Sequence, residues 1–312
     1  MRTVIKILRL PVIKTIIDYT KQLKLPGFEG IALYDVVRFF MLQVQKVGFT
    51  ERAAAISFNF IMAIPPACIF LFSLVPYFPI AEQFNDEVMG LVKDLTPDQS
   101  TRSLIQSFLN DFLGRPQTSL LSFGFLIAIF YSSNAMLGII DGFNRSIHES
   151  KNKSFFADRW KAIKLTFIIM LLFIASTIIL MTQGGIFTGL LNLFGIKNEL
   201  VKFLIQTVRW VVIIALFFYS IAFIYRHAPS VEKKWKLVSP GSILACTLLI
   251  IFTILFSFWI NNYATYNKVY GPIGTIMIIM VLIYISSLVL LIGFELNLSI
   301  RSLKAESDKR PK

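Results

Sequence analysis

The chain has 312 residues, 55% of them hydrophobic, and a mean hydropathy of +0.68. Soluble domains reach about 45–50% apolar residues even with glycine counted, so an ordinary soluble domain is excluded and a multi-spanning membrane protein is indicated. The formal net charge of +13 falls beside apolar segments and not in a module with interleaved stacking aromatics, which points to membrane orientation and away from nucleic acid.

Residues 1–30 form a basic arm without the apolar run and small-residue ending of a cleavable leader. Between Ile31 and Val47, Leu33, Val36, Val37, Phe40, Val44 and Val47 recur at helical spacing, with Asp35, Arg38, Gln45 and Lys46 elsewhere on the wheel. This pattern predicts an amphipathic helix in the membrane interface, serving either as an attachment to anionic lipid or as an orienting arm.

The first predicted span covers about 53–75, with Ser57 and Asn59 near its start and Pro65-Pro66 near its middle. Two consecutive prolines remove helix hydrogen bonds and predict a local break. Residues 79–118 carry Glu82, Asp86, Glu87, Asp94, Asp98 and Asp111, and their apolar spacing predicts two short helices divided at Thr96-Pro97, a helical outer loop.

The second span is predicted over about 119–140 and the third over about 163–181. Between residues 182 and 198, Gly184, Gly185, Gly189 and Gly195 interrupt an apolar segment that reads as interfacial or partly re-entrant. The fourth span covers about 203–225, the fifth about 240–260 after Ser239-Pro240-Gly241, and the sixth about 273–294. About 20 apolar residues at about 1.5 Å rise suffice to cross a hydrocarbon core of about 30 Å. Residues 31–300 thus form a six-helix membrane domain, and 301–312 a basic tail.

An even number of spans puts both ends on one side. Twenty-three lysines and arginines lie in the segments assigned to that side and six on the other, so the positive-inside rule makes both ends cytoplasmic. The expectation is an all-α polytopic protein. The alternating pattern of a membrane barrel is absent.

This topology gathers Arg52, Asn59, Asn144, Arg145, Arg226, Ser239, Glu295 and Asn297 at the cytoplasmic edge. They are either helix-end anchors snorkelling to water, with an Arg–Glu pair among them, or the lining of a polar pocket for an anionic headgroup. At the outer end, Asn262, Tyr263, Tyr266 and Tyr270 form either an aromatic belt or a contact with the outer loop. Cys68 and Cys246 sit in apolar runs, which leaves no disulfide framework. His148 and His227 have no ligand partner at metal-site spacing, and no nucleotide-binding, hydrolase or metalloprotease motif occurs. No cofactor, metal or catalytic residue is expected.

Several stretches together resemble the YihY/virulence factor BrkB family of bacterial inner-membrane proteins, long labelled ribonuclease BN. They are Arg52-Ala53-Ala54-Ala55-Ile56-Ser57-Phe58, Phe143-Asn144-Arg145, Tyr225-Arg226-His227-Ala228-Pro229 and Pro240-Gly241. Asn262-Tyr263-Ala264-Thr265-Tyr266, Tyr270-Gly271 and Gly293-Phe294-Glu295-Leu296-Asn297 complete the set, which covers roughly residues 35–300 in order. The resemblance implies six transmembrane helices in the bacterial inner membrane, with serum resistance or virulence in some members and lipid export proposed for others. Together with the expected kink in the first span and the polar cytoplasmic edge, it makes moving or presenting a lipid or other amphiphile the leading expectation. Membrane lipids and an envelope protein or a second copy are the expected partners. A non-transporting scaffold is the alternative, and a ribonuclease comes last because metal-ligand clusters are missing from the sequence.

Overall fold

A computed structural model describes residues 18–46, 48–77, 103, 106–107, 118–147, 155–181, 199–231, 234–263 and 272–309. The basic arm before residue 18, nearly all of the 79–118 loop, the glycine-rich 182–198 segment, His148, Tyr266 and Tyr270 lie outside the described residues.

Every described element is helical. The helices are α1 (Leu33–Lys46), α2 (Phe49–Leu74, followed by a 3-10 turn at Val75–Tyr77), α3 (Thr118–Asn144), α4 (Phe155–Met181), α5 (Glu199–His227), α6 (Pro240–Tyr263) and α7 (Pro272–Lys309). Among the described residues, α2, α3, α5, α6 and α7 are long and apolar enough to cross a membrane. The expected third span, α4, carries Asp158, Arg159, Lys161 and Lys164 at its beginning and then runs uncharged from Leu165 to Met181. The protein is a polytopic helical membrane protein.

Each of the six long helices packs against its successor in sequence, and α7 returns to pack against α2, which closes a ring. Antiparallel α2 and α3 are drawn together by small residues on α3. A Cβ at Gly142 would stand 2.9 Å from Ile56, one at Gly138 2.9 Å from Asn59, and one at Gly124 3.6 Å from the Phe70 backbone. Gly138 and Gly142 form a GxxxG step, which lets helices approach closely where lipid supplies no hydrophobic drive.

That interface also corrects the expected break at Pro65-Pro66, since α2 is one continuous helix. Proline's fixed φ is itself helical, and the pair removes only the two N–H groups that would bond the carbonyls of Ile61 and Met62. The helix is held against α3 on both sides of the pair, at Asn59 and at Phe70.

Burial is concentrated at the basic end of the ring, where α2, α4 and α6 begin and α3 and α5 end. Ile56, Ile139, Ile140, Phe143, Tyr225, Leu291 and Phe294 are all buried there. Phe143 and Phe294 stack with centroids 4.1 Å apart and planes 5° from parallel, while Tyr225 and Trp235 meet Phe294 edge-on at 6.5 and 5.5 Å. Offset-stacked and edge-on aromatic pairs each contribute about 0.5–1.5 kcal/mol beyond their area.

Towards the other end the packing thins. No described side chain is buried over 167–176 of α4, 204–220 of α5, 251–260 of α6 or 276–286 of α7. On α6, Ile251, Ile254, Leu255, Phe258 and Trp259 are exposed along one face of the helix. Among the described residues, α2 and α3 remain closely packed there, through Ala63, Ser73 and Ala128 and the tilted ring pair Phe70–Phe125 at 5.4 Å.

Two further differences concern the chain ends. The sixth span continues unbroken through the tail to Lys309, so Glu295 and Asn297 sit within a helix and not at its exit. The apolar stripe of α1 divides. Val36 is buried with Phe28 and Ile300, and Leu33 packs beside them, whereas Val37 and Met41 face outward.

Candidate functional site

Arg52 stands in the first turn of α2 and points into the ring, where it is 2% exposed, and Glu295 of α7 opposite it is 0% exposed. The Arg52 Nη2 donates to Glu295 Oε1 at 2.8 Å, and its Nη1 donates to the Gly142 carbonyl at 2.8 Å. Nη1 also donates to Ser146 Oγ, and the Ser146 hydroxyl in turn donates to Glu295 Oε1. One guanidinium therefore joins α2, the end of α3 and the middle of α7.

Burying two charges costs several kcal/mol per ion, repaid only when geometry and extra hydrogen bonds are good. Most of the valence is met here, yet Arg52 Nε and Glu295 Oε2 are buried with no hydrogen-bond partner among the described residues.

A second set of hydrogen bonds joins α7 to the start of α6. Ser239 caps that helix, its Oγ accepting from the Ser242 N–H at 3.2 Å while its own N–H donates to Ser242 Oγ at 3.0 Å. Pro240 follows at the first helical position, where its missing N–H costs nothing. Asn297 of α7 completes the cap, accepting from the Gly241 N–H at 2.8 Å and donating to Ser239 Oγ at 2.9 Å.

The backbones touch at this crossing. A Cβ added at Gly241 would collide with the Gly293 carbonyl, and one at Gly293 would lie 2.5 Å from both the Gly241 carbonyl and Tyr225 Oη. Tyr225 itself donates to the Leu290 carbonyl at 2.7 Å, tying α5 to α7.

The remaining neighbours are joined in the same way. The Asn144 side chain at the end of α3 accepts from the Ser230 N–H at 2.8 Å and donates to Ser230 Oγ at 3.2 Å. Lys161 of α4 donates to the carbonyls of Ala228 and Pro229 at 2.5 and 3.3 Å, where a cation suits the carbonyl-rich end of α5. Every long helix thus enters one polar belt at the basic end.

Of the residues that the sequence places at this edge, Arg52 and Glu295 meet directly. Asn297 and Asn144 each join a different pair of elements. Asn59 lies deeper, its amide donating to the Ala55 carbonyl at 3.0 Å beside Gly138. Arg145 is exposed, and Arg226 is half-buried with its Nε unpartnered. Asn262 and Tyr263 are the last residues of α6 at the opposite end. Arg52, Asn144, Glu295 and Asn297 are therefore interhelical joints in this conformation, with the Arg52–Glu295 pair buried at the centre.

Several partners escape the sequence reading. Ser146 and Ser230 carry no local signature, because they act across 149 and 86 residues. Others are legible, among them the reciprocal Ser239–Ser242 cap and the GxxxG step at Gly138 and Gly142. Among the described residues, no group of three or more His, Cys, Asp or Glu side chains could hold a metal ion.

The model of the family described as "Virulence factor BrkB" matches residues 41–312. A Bacillus subtilis (strain 168) protein, YfkH, whose name calls it ribonuclease-like, is 29% identical over 261 residues, covering 84% of this chain and 93% of that protein. A UPF0761 membrane protein of Alkalilimnicola ehrlichii is 25% identical over 259 residues, covering 81% of this chain. The match spans only 55% of that relative's length. A UPF0761 membrane protein of Idiomarina loihiensis, IL2447, is 31% identical over 129 residues, 39% of this chain and 45% of that protein. No solved structure matches the chain. The family match over most of the length, together with the ring of apolar helices, establishes that the chain belongs to the virulence factor BrkB family of membrane proteins.

Proposed function

We propose that this protein moves or presents a lipid or other amphiphile in the bacterial inner membrane, without chemistry of its own, and that its basic end faces the cytoplasm. The observation that carries this reading is the packing gradient. The ring is sealed at the basic end by stacked aromatics and the Arg52–Ser146–Glu295 network, while α4, α5, α6 and α7 expose apolar side chains over their other halves.

A protein that only needed to span would gain by packing along its length, since close contact between helices is what holds them together in lipid. Helix faces left unburied towards one end instead offer apolar walls for acyl chains. The buried pair supplies the complementary part, a joint whose two unpartnered atoms fall short of the optimum for a permanent core contact.

The test is redistribution of a fluorescent phospholipid between the leaflets of reconstituted vesicles. The reading expects faster redistribution than in protein-free vesicles of the same composition. Rates equal to those of protein-free vesicles, for anionic and zwitterionic headgroups alike, would overturn it. The alternative is a non-transporting scaffold for an envelope protein or a second copy, which draws on the same exposed helix faces. It predicts protein-free rates together with a stoichiometric crosslinked partner.

A further inference from the structure

We propose that the cleft between the α5–α6 connection and the tail half of α7 is a binding site for a phosphate-bearing anion, with a membrane lipid headgroup as the ligand. A cavity of about 570 Å³ opens there, lined by Lys234, Lys236, Arg301 and Lys304. Glu29 and Asp308 are the acidic groups on its wall, and Asp308 is already paired with Lys304 at 3.0 Å. The wall therefore carries a surplus of positive charge.

The first-turn amide of Gly241 and that of Ser242 are taken by Asn297 and Ser239, so the side-chain cations and not the helix end carry the attraction. Three ammonium groups and a guanidinium around one cleft suit the several acceptor oxygens of a phosphate better than a single carboxylate.

The rim favours a lipid over a free ion. Val238 is 66% exposed beside the lysines, next to the half-buried ring of Trp235, which lies under the Arg301 guanidinium at 5.7 Å. An apolar side chain in water beside the cations gains nothing from free phosphate, whereas an acyl chain would cover it. This site is separate from the Arg52–Glu295 joint, and the proposal holds whether or not the protein moves lipid.

The test uses the full chain in phosphatidylcholine nanodiscs, titrated with dihexanoyl-phosphatidylglycerol, dihexanoyl-phosphatidylcholine and inorganic phosphate, with tryptophan fluorescence as the readout. Saturable binding of phosphatidylglycerol is expected, with phosphatidylcholine weaker. The variant Lys234→Gln/Lys236→Gln should weaken phosphatidylglycerol binding by at least about tenfold, the worth of a lost charge-assisted contact.

Both of those lysines are exposed, so the fold should survive. If it does not, Lys304→Gln provides the same comparison. The control Lys151→Gln/Lys153→Gln, which removes the same charge from the segment of sequence between α3 and α4, should bind like the wild type. Phosphate failing to compete identifies the lipid headgroup, and phosphate competing at equal strength retains the anion site while overturning the lipid assignment. Equal binding of phosphatidylcholine, or a folded lysine variant that binds like the wild type, would overturn the site itself.

Discussion

Replacing Arg52 by alanine strands the Glu295 carboxylate and the Ser146 hydroxyl in a dry interior, which for a broken buried pair costs about 3–5 kcal/mol. Thermal unfolding in detergent should show this as a large fall in Tm. Glu295→Gln should be almost as damaging, because it leaves the guanidinium without its counter-charge. The double variant Arg52→Met/Glu295→Leu should recover most of the loss, since removing both charges also removes their desolvation penalty. A double variant as unstable as the two single losses added would show that the pair does not act as a unit. Asn297→Ala offers a smaller test at the neighbouring joint. Losing the acceptor for the Gly241 N–H and the donor to Ser239 should cost about 1–2 kcal/mol, typical of a lost helix cap.

The glycines separate two kinds of helix contact. Gly241→Ala should be among the costliest small changes in the protein, because the added methyl meets the Gly293 carbonyl and neither backbone can yield without parting α6 from α7. The loss should reach or pass the top of the about 1–3 kcal/mol range of overpacking. Gly138→Ala meets only the end of the Asn59 side chain, which can turn away, so its cost should be well below that of Gly241→Ala. Comparable fractions of folded protein after detergent extraction for the two variants would contradict the close crossing at Gly241.

Much of this level is visible in the sequence. The spans follow from apolar length, and the start of α6 from Ser-Pro-Gly-Ser. The continuity of α2 through Pro65-Pro66 is not visible, because it depends on contacts with α3. Nor is the extension of α7 to Lys309. Hydropathy marks where a helix leaves lipid and says nothing about whether it goes on, and the closing of Arg52 on Glu295 joins residues 243 apart.

At the scale of the whole chain, the six long helices form a sequential ring with one tight end and one loose end. α7 is its hub, touching α1, α2, α3 and α6 and bonded to Tyr225 of α5. An amphiphile carrier built this way must open its tight end during the cycle, and α2 and α7 are the helices that part if the Arg52–Glu295 joint yields. Ser57 of α2 and Ser287 of α7 lie one step inside that joint with their hydroxyls 3.1 Å apart, close enough for paired cysteines to bridge. The decisive measurement is phospholipid redistribution in vesicles by Ser57→Cys/Ser287→Cys protein with Cys68 and Cys246 replaced by alanine. Redistribution should proceed when the pair is reduced, stop on oxidation and return with reductant. Equal rates in the oxidised and reduced states would contradict an opening between α2 and α7, and no redistribution in the reduced state would contradict transport itself.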